Sequence, residues 1–401
     1  MRIATKIRIA LRHLCARPFQ TFSVVSIVAF SVGLAVALFV LAEGLQLGLI
    51  RAVEPFDLIV GAKGSPYQLV LNTVFLQDAP VGNIPWEDYE MLSGDERVGF
   101  AVPVAFGDNY RGYPVIGTTK DILKIRVRPS DPLWMRLNEG RWFTNDGFEA
   151  VLGSRAASES GLRVGDTFRT SHGIVAGDEH ERGFRVVGIT DTARGPYDRA
   201  VFVPIETIWS EHEHHRDGGN KENEDEHEEP GEVTAVLIHP RSYPDAYSLA
   251  VSFQRSSDKQ LVFPAQTAIR LFSMMGRGEA FLSLIVFAVG GCAILTTLLI
   301  LYWSGAARNR ERVLLHVLGV PKSTLIYISW LEGAVTLLIG VFLGELLGRL
   351  GATSAFAALG NVTALDSSVS LTLQELAAPL IFLAAGSLGS LFAAWRGRLT
   401  V

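Results

Sequence analysis

The chain has 401 residues, 48% of them hydrophobic and 19% charged, with a formal net charge of −5. A soluble domain carries about a quarter charged residues, so the deficit points to apolar segments, and the acidic balance gives no footing for a nucleic-acid partner. The only cysteines, Cys15 and Cys292, lie in a basic stretch and in an apolar run, which argues against a disulfide framework.

The first seventeen residues set Ile3, Ile7, Leu11 and Leu14 at helical spacing among Arg2, Lys6, Arg8, Arg12 and Arg17. Residues 1–17 therefore predict an amphipathic helix on the cytoplasmic face of a membrane, in contact with its lipids. No charge occurs between Arg17 and Glu43, so residues 18–42 predict a first membrane span, since about 20 apolar residues cross the hydrocarbon. The run is longer than a signal-peptide core and is read as a retained anchor.

Residues 43–279 predict a stalk and a mixed α/β domain outside the cytoplasm. Leu45, Leu47, Leu49, Ile50 and Val53 continue helically from the first span. Ala268, Ile269, Leu271, Phe272, Met274 and Met275 lead into the second, and the two helices form the stalk. Short strands broken by Gly, Pro and Asp lie between them: Phe56–Val60, Gly99–Val104, Val115–Gly117, Ala150–Leu152, Phe184–Ile189, Ala200–Val203 and Val233–Ile238. Helices are expected near Pro85–Leu92 and Ser154–Ser160.

Glu211–Glu229 has no apolar side chain, so residues 211–230 predict a disordered loop. His212, His214, His215 and His227 lie there among acids, a composition that suits Zn²⁺, Ni²⁺ or Cu²⁺. The plainer reading is a solvated acidic insertion. No other cofactor is expected on this chain.

Three further spans follow: residues 280–306, 324–348 and 376–395. The span 324–348, third in the chain, is the weakest by hydropathy because it carries Glu332 and Glu345. Residues 307–323 form a loop between the second and third spans, 349–375 a short outer loop, and 396–401 a tail. Arg308, Arg310, Arg312 and Lys322 share a side with the basic N-terminus and with Arg396 and Arg398 only if there are four spans. That side is cytoplasmic, which leaves both termini inside and the large domain outside. Arg349 runs against the trend. Glu332, as an intramembrane polar residue, is either a structural hydrogen bonder or part of a moving joint.

No G-x-x-x-x-G-K-[ST] loop, H-E-x-x-H helix or G-x-S-x-G elbow occurs, and no Ser/His/Asp constellation, so the chain is not expected to be an enzyme. The spans also lack the midplane polar groups of a secondary transporter.

Residues 307–331 read ARNRERVLLHVLGVPKSTLIYISWL. A basic helix presents Leu314, Leu315 and Leu318, Gly319 ends it, and Pro321 opens the next. This stretch resembles the signature of the FtsX-like permease family, which includes MacB-type and lipoprotein-releasing transporter subunits. Arg310-Glu311, Leu314-Leu315 and Leu318-Gly319 carry the likeness. Gly140-Arg-Trp-Phe143, Val151-Leu-Gly153, Gly161-Leu-Arg-Val-Gly-Asp166 and Val186-Val-Gly-Ile189 are similar to motifs of the family's outer domain. Arg312, Val313, His316 and Val317 depart from the usual signature, and the His-rich insertion is not a general family feature.

The resemblance implies a four-helix membrane subunit with a MacB periplasmic core-like domain between helices one and two, in a bacterial inner membrane. It implies a separate cytoplasmic ABC ATPase that holds ATP and Mg²⁺ and pushes on Arg310, Glu311, Leu314, Leu315, Leu318 and Gly319. It implies a homodimer or a pair with a related permease, and a periplasmic adaptor or lipoprotein as outer partner. Substrate export or lipoprotein trafficking would then proceed by mechanotransmission. Two alternatives stand beside it: a transmembrane regulator of an outside partner, and a zinc-homeostasis component that uses the His-rich segment.

Overall fold

A computed structural model describes residues 3–396 except 78, 129, 146, 173–181, 217–230, 275–283, 286–287, 293, 297, 300–301, 304–308 and 364–376. The chain divides into a helical unit (Met1–Leu45, Gly276–Ala358 and Ser367–Val401) and an α/β unit (Gln46–Met275 with Leu359–Asp366).

The first helix, α1, spans Ile3–Ala16, and the second, α2, spans Pro18–Val53. Pro18 has no N–H with which to continue α1, yet its ring is accepted in the first turn of α2. At this junction the Thr21 hydroxyl donates to the Leu14 carbonyl at 3.0 Å. The predicted first span, 18–42, lies wholly within α2, which runs on to Val53. At 36 residues, α2 is about 54 Å long, well over the roughly 30 Å of hydrocarbon.

In the α/β unit, β1 (Leu58–Ala62) is followed by α3 (Pro66–Thr73), β2 (Ile84–Pro85) and α4 (Trp86–Ser93). Then come β3 (Val98–Tyr110), β4 (Tyr113–Thr118), β5 (Leu137–Gly140), β6 (Glu149–Leu152) and α5 (Ser154–Ser160). Next are β7 (Thr167–Phe168), β8 (Ser171–His172), β9 (Phe184–Thr190), β10 (Val201–Pro204) and α6 (Ile205–Arg216). β11 (Glu232–Val233), β12 (Ala235–Pro240), α7 (Tyr243–Phe253), β13 (Lys259–Val262) and α8 (Pro264–Met274) complete it.

The main sheet runs β13-β1-β12-β3-β4-β10-β6-β9-β5, with β7 on β9 and β8 on β3. Most neighbours are antiparallel; β10 pairs with β4, and β6 with β9, in parallel. Alternation along the strands fills two cores. Ile59, Val102, Val104, Ile116, Val151 and Phe202 face one layer, which also takes Leu69 and Val70 of α3, Ala268 of α8, and Ala52 and Val53 of α2. Leu58, Val60, Val115, Leu152, Val201 and Val203 face the other, covered by Leu92 of α4, Ile205 and Ile208 of α6, and Ala246 and Leu249 of α7. The fully buried Tyr197 donates its hydroxyl to the Thr73 carbonyl at 2.8 Å, so its polar end is satisfied.

The mixed α/β expectation agrees with this sheet. One predicted boundary moves. The predicted disordered loop began at Glu211, but α6 continues through Arg216, and the remainder of that segment lies outside the described residues. The predicted two-helix stalk gains a third wall: Leu49 of α2 and Thr267, Ala268 and Leu271 of α8 border one apolar pocket with Tyr67, Val70 and Leu71 of α3.

In the helical unit, α9 spans Asn309–Val317, α10 Lys322–Thr363 and α11 Ala377–Arg396. Much of the expected second span, 280–306, lies outside the described residues, and the pieces described there are helical. The expected third span, 324–348, lies inside α10. The predicted outer loop from residue 349 is instead helical through Thr363, and the rest of it, 364–375, lies outside the described residues. Arg349, which opposed the charge trend, is paired within this helix: its Nε donates to Glu345 at 2.6 Å. Gly340, Gly344 and Gly348 let α10 approach Val28, Val32, Gly33 and Val36 of α2 closely.

Candidate functional site

The predicted docking segment is α9 with its C-terminal turn. Leu318 N–H donates to Leu314 C=O (3.1 Å), Gly319 N–H to His316 C=O (2.9 Å) and Val320 N–H to Leu315 C=O (3.1 Å). Gly319 has φ +92°, and together these form the paired cap of a helix ended by a left-handed residue. A Cβ on Gly319 would meet nothing within 4 Å, so backbone conformation alone calls for glycine here. Pro321 then opens α10, its carbonyl accepting from Thr324 and Leu325 N–H.

Leu314, Val317 and Leu318 are 65%, 79% and 78% exposed and form one i, i+3, i+4 row. Sequence reasoning placed Leu315 on this row, but it is half-buried, and Val317 takes the exposed place. The signal for Val317 was available, since it lies three residues from Leu314. Arg310 and Glu311 belong to α9 by backbone, and their side chains lie outside the described set.

Glu332 is buried, at 2% exposure, and its Oε1 lies 2.7 Å from Nδ1 of His13. Sequence reasoning gave His13 no role, because the two are 319 positions apart. Thr336 donates its hydroxyl to the Glu332 carbonyl at 2.8 Å. Trp330 Nε1 donates to Ser387 of α11 at 3.2 Å.

Of the candidate metal residues, His212, His214 and His215 fall in α6 with side chains outside the described set, and His227 lies outside it altogether. The base of the segment is closed: Trp209 Nε1 donates to Glu232 C=O at 2.8 Å, and its ring meets Trp86 edge-on at 4.9 Å. Among the described residues no group of three or more His, Cys, Asp or Glu is arranged to hold a metal ion.

The ionic contacts of the α/β unit serve its loops. Asp198 is buried and accepts from Ala193 N–H (2.7 Å), the Thr192 hydroxyl (3.1 Å) and Gly195 N–H (3.3 Å). Burial raises its carboxyl above the usual range, against the opposing pull of those donors. Glu149 accepts from both terminal guanidinium nitrogens of Arg141 and from Thr144, which hold it down to about 2. Lys259 Nζ reaches Asp88 at 2.5 Å, tying β13 to α4. His239 pairs with Asp57, which raises the imidazole above its ordinary value.

The fold and its exposed elements define a class: among the described residues two helices are long and apolar enough to cross a membrane, and they accompany one α/β unit with a large mixed sheet. The MacB-like periplasmic core domain family matches residues 21–268. The chain belongs to this family, that of the MacB/FtsX-like ABC transporter permeases. No curated protein matches it.

Among solved structures, the extracellular domain of the noncanonic ABC-type transporter YknZ from Gram-positive bacteria is similar at 12% identity and TM-score 0.32, over 51% of this chain and 99% of that one. The periplasmic region of MacB from Actinobacillus actinomycetemcomitans is similar at 12% identity and TM-score 0.36, over 56% and 95%. Likenesses of this size carry no conclusion about activity.

Proposed function

We propose that the chain is the membrane subunit of an ABC system in which a separate cytoplasmic ATPase drives conformational change in the α/β domain. The chain crosses the bacterial inner membrane four times, with both termini inside and the α/β domain, carried between the first two spans, in the periplasm. Two copies, or one copy and a related permease, form the membrane part. Force enters at α9, around Arg310, Glu311, Leu314, Leu315, Leu318 and Gly319, and serves export or lipoprotein trafficking through a periplasmic adaptor or lipoprotein partner.

The observation that carries this reading is the exposed row Leu314, Val317 and Leu318 on a short helix whose end is pinned by the Gly319 cap. An apolar row on a capped helix suits a groove on a partner. A rigid cap with Pro321 directly behind it passes displacement into α10. The test is co-purification of an ABC ATPase with the full chain. Leu318→Asp places a charge at a position that is 78% exposed and should abolish that association without loss of folded chain. Retained association would refute the docking assignment.

Metal binding at His212, His214, His215 and His227 is a second reading. The helical backbone through Arg216 places positions 212 and 215 about one turn apart, a spacing that two ligands of one Zn²⁺ can use.

A further inference from the structure

α1 is not held by its amphipathic pattern alone. Lys6, Ala10 and His13 fall at i, i+4 and i+7, one face of the helix. This face is turned away from solvent more than the opposite one: Ala10 is 1% exposed, the Lys6 ammonium lies 4.8 Å from the centroid of the Tyr327 ring, and His13 reaches Glu332. Tyr327 and Glu332 both lie in the first turns of α10, directly after the α9 cap. The opposite side of α1 exposes Ile7 at 41% and Leu11 at 47%, beside the exposed Arg8 and Arg12. The helix thus has a membrane side and a protein side. The protein side carries a contact to a carboxylate that is itself almost wholly buried. A buried carboxylate is stable only with partners, and His13 supplies one of them across the two helices.

We infer that His13 is a positioning residue that latches α1 to the start of α10, so that α1 moves with α10 and does not ride independently on the membrane surface. This rests on α9 as the point where force enters. Displacement of α9 then reaches two elements at once, α10 by chain continuity and α1 by the His13–Glu332 contact. Lys6 over Tyr327 is a second point of attachment about two turns away along α1, and two points suppress rotation about either one.

Hydrogen exchange on the full chain in phospholipid nanodiscs tests the latch. His13→Ala should speed exchange of the α1 amides on the order of tenfold, the scale of one side-chain hydrogen bond. His13→Gln, which keeps an N–H donor, should restore most of the protection. Exchange in α2 and in the second half of α10 should stay as in the parent chain. Unchanged α1 exchange in His13→Ala would show that lipid alone holds the helix and would overturn the inference. Equal loss across α2 and α10 would also overturn it, because His13 would then support the whole bundle. Failure of His13→Gln to restore protection would do the same. ATPase co-purification of His13→Ala, measured on the same sample, reports separately on the docking reading.

Discussion

Replacement of Gly344 by alanine should loosen the pair α2–α10, and the structure sets the size of the effect. A Cβ at Gly344 would lie 2.7 Å from the Ala29 carbonyl oxygen, 2.8 Å from Val32 Cβ and 3.1 Å from the Gly33 nitrogen. Ordinary contact begins at 3.4 Å, so the helices must part by about 0.7 Å, since backbone atoms cannot rotate aside. Overpacking of this kind costs about 1–3 kcal/mol. Removing a glycine from a helix returns about 0.5–1 kcal/mol. The expected net loss is about 1 kcal/mol, and at most about 2.5 kcal/mol. Gly351, later in the same helix, has nothing within 4 Å of its would-be Cβ, so Gly351→Ala should stabilise by the propensity gain alone. The assay is denaturant unfolding of the purified chain in detergent, followed by tryptophan fluorescence. A Gly344→Ala chain as stable as Gly351→Ala would refute the close approach of these helices.

Two further predictions concern the α/β unit. Glu149 is held down to about 2 chiefly by Arg141. A depressed folded value means that its contribution is fully present above the unfolded pKa, near 4.5, and fades as pH falls toward 2. Arg141→Ala should therefore move the acid unfolding midpoint upward in a pH series of melting temperatures, and an unmoved midpoint would refute the assignment. Deletion of residues 211–229 should leave the melting temperature within a few degrees, because Trp209 and Glu232 already close the base of that segment. The same deletion should abolish Zn²⁺ uptake seen by calorimetry if the histidines bind it, and unaltered uptake would exclude them.

The strands of the α/β domain were legible because their alternation is local. The predicted helix Ser154–Ser160 is α5, closed by Gly161 at φ +76°. α3 and α7 were not foreseen, although their signals were present: Ser65 and Ser242 cap them, and a proline follows each within the first turn. The length of α10 was hidden by Gly348, Arg349 and Gly351, which read as a break. Within the helix, Arg349 meets Glu345 and Gly348 meets α2, so the same residues become packing features.

The docking segment was legible as a motif, and the place of Val317 three residues from Leu314 was legible too; the partial burial of Leu315 was not, because it is a property of the folded chain. The His13–Glu332, Lys259–Asp88 and His239–Asp57 pairs join residues 319, 171 and 182 positions apart. Nothing local in a single sequence marks such pairs, because each is created by the fold.

The central claim, that an ATPase acts on this chain at α9, is tested most directly by a photo-crosslinking residue at position 318 in native membranes. The account predicts a specific crosslink to an ABC ATPase from position 318 and none from position 251, an exposed site on α7. An absence of ATPase crosslinks at 318, in cells where the chain is folded and inserted, would contradict it.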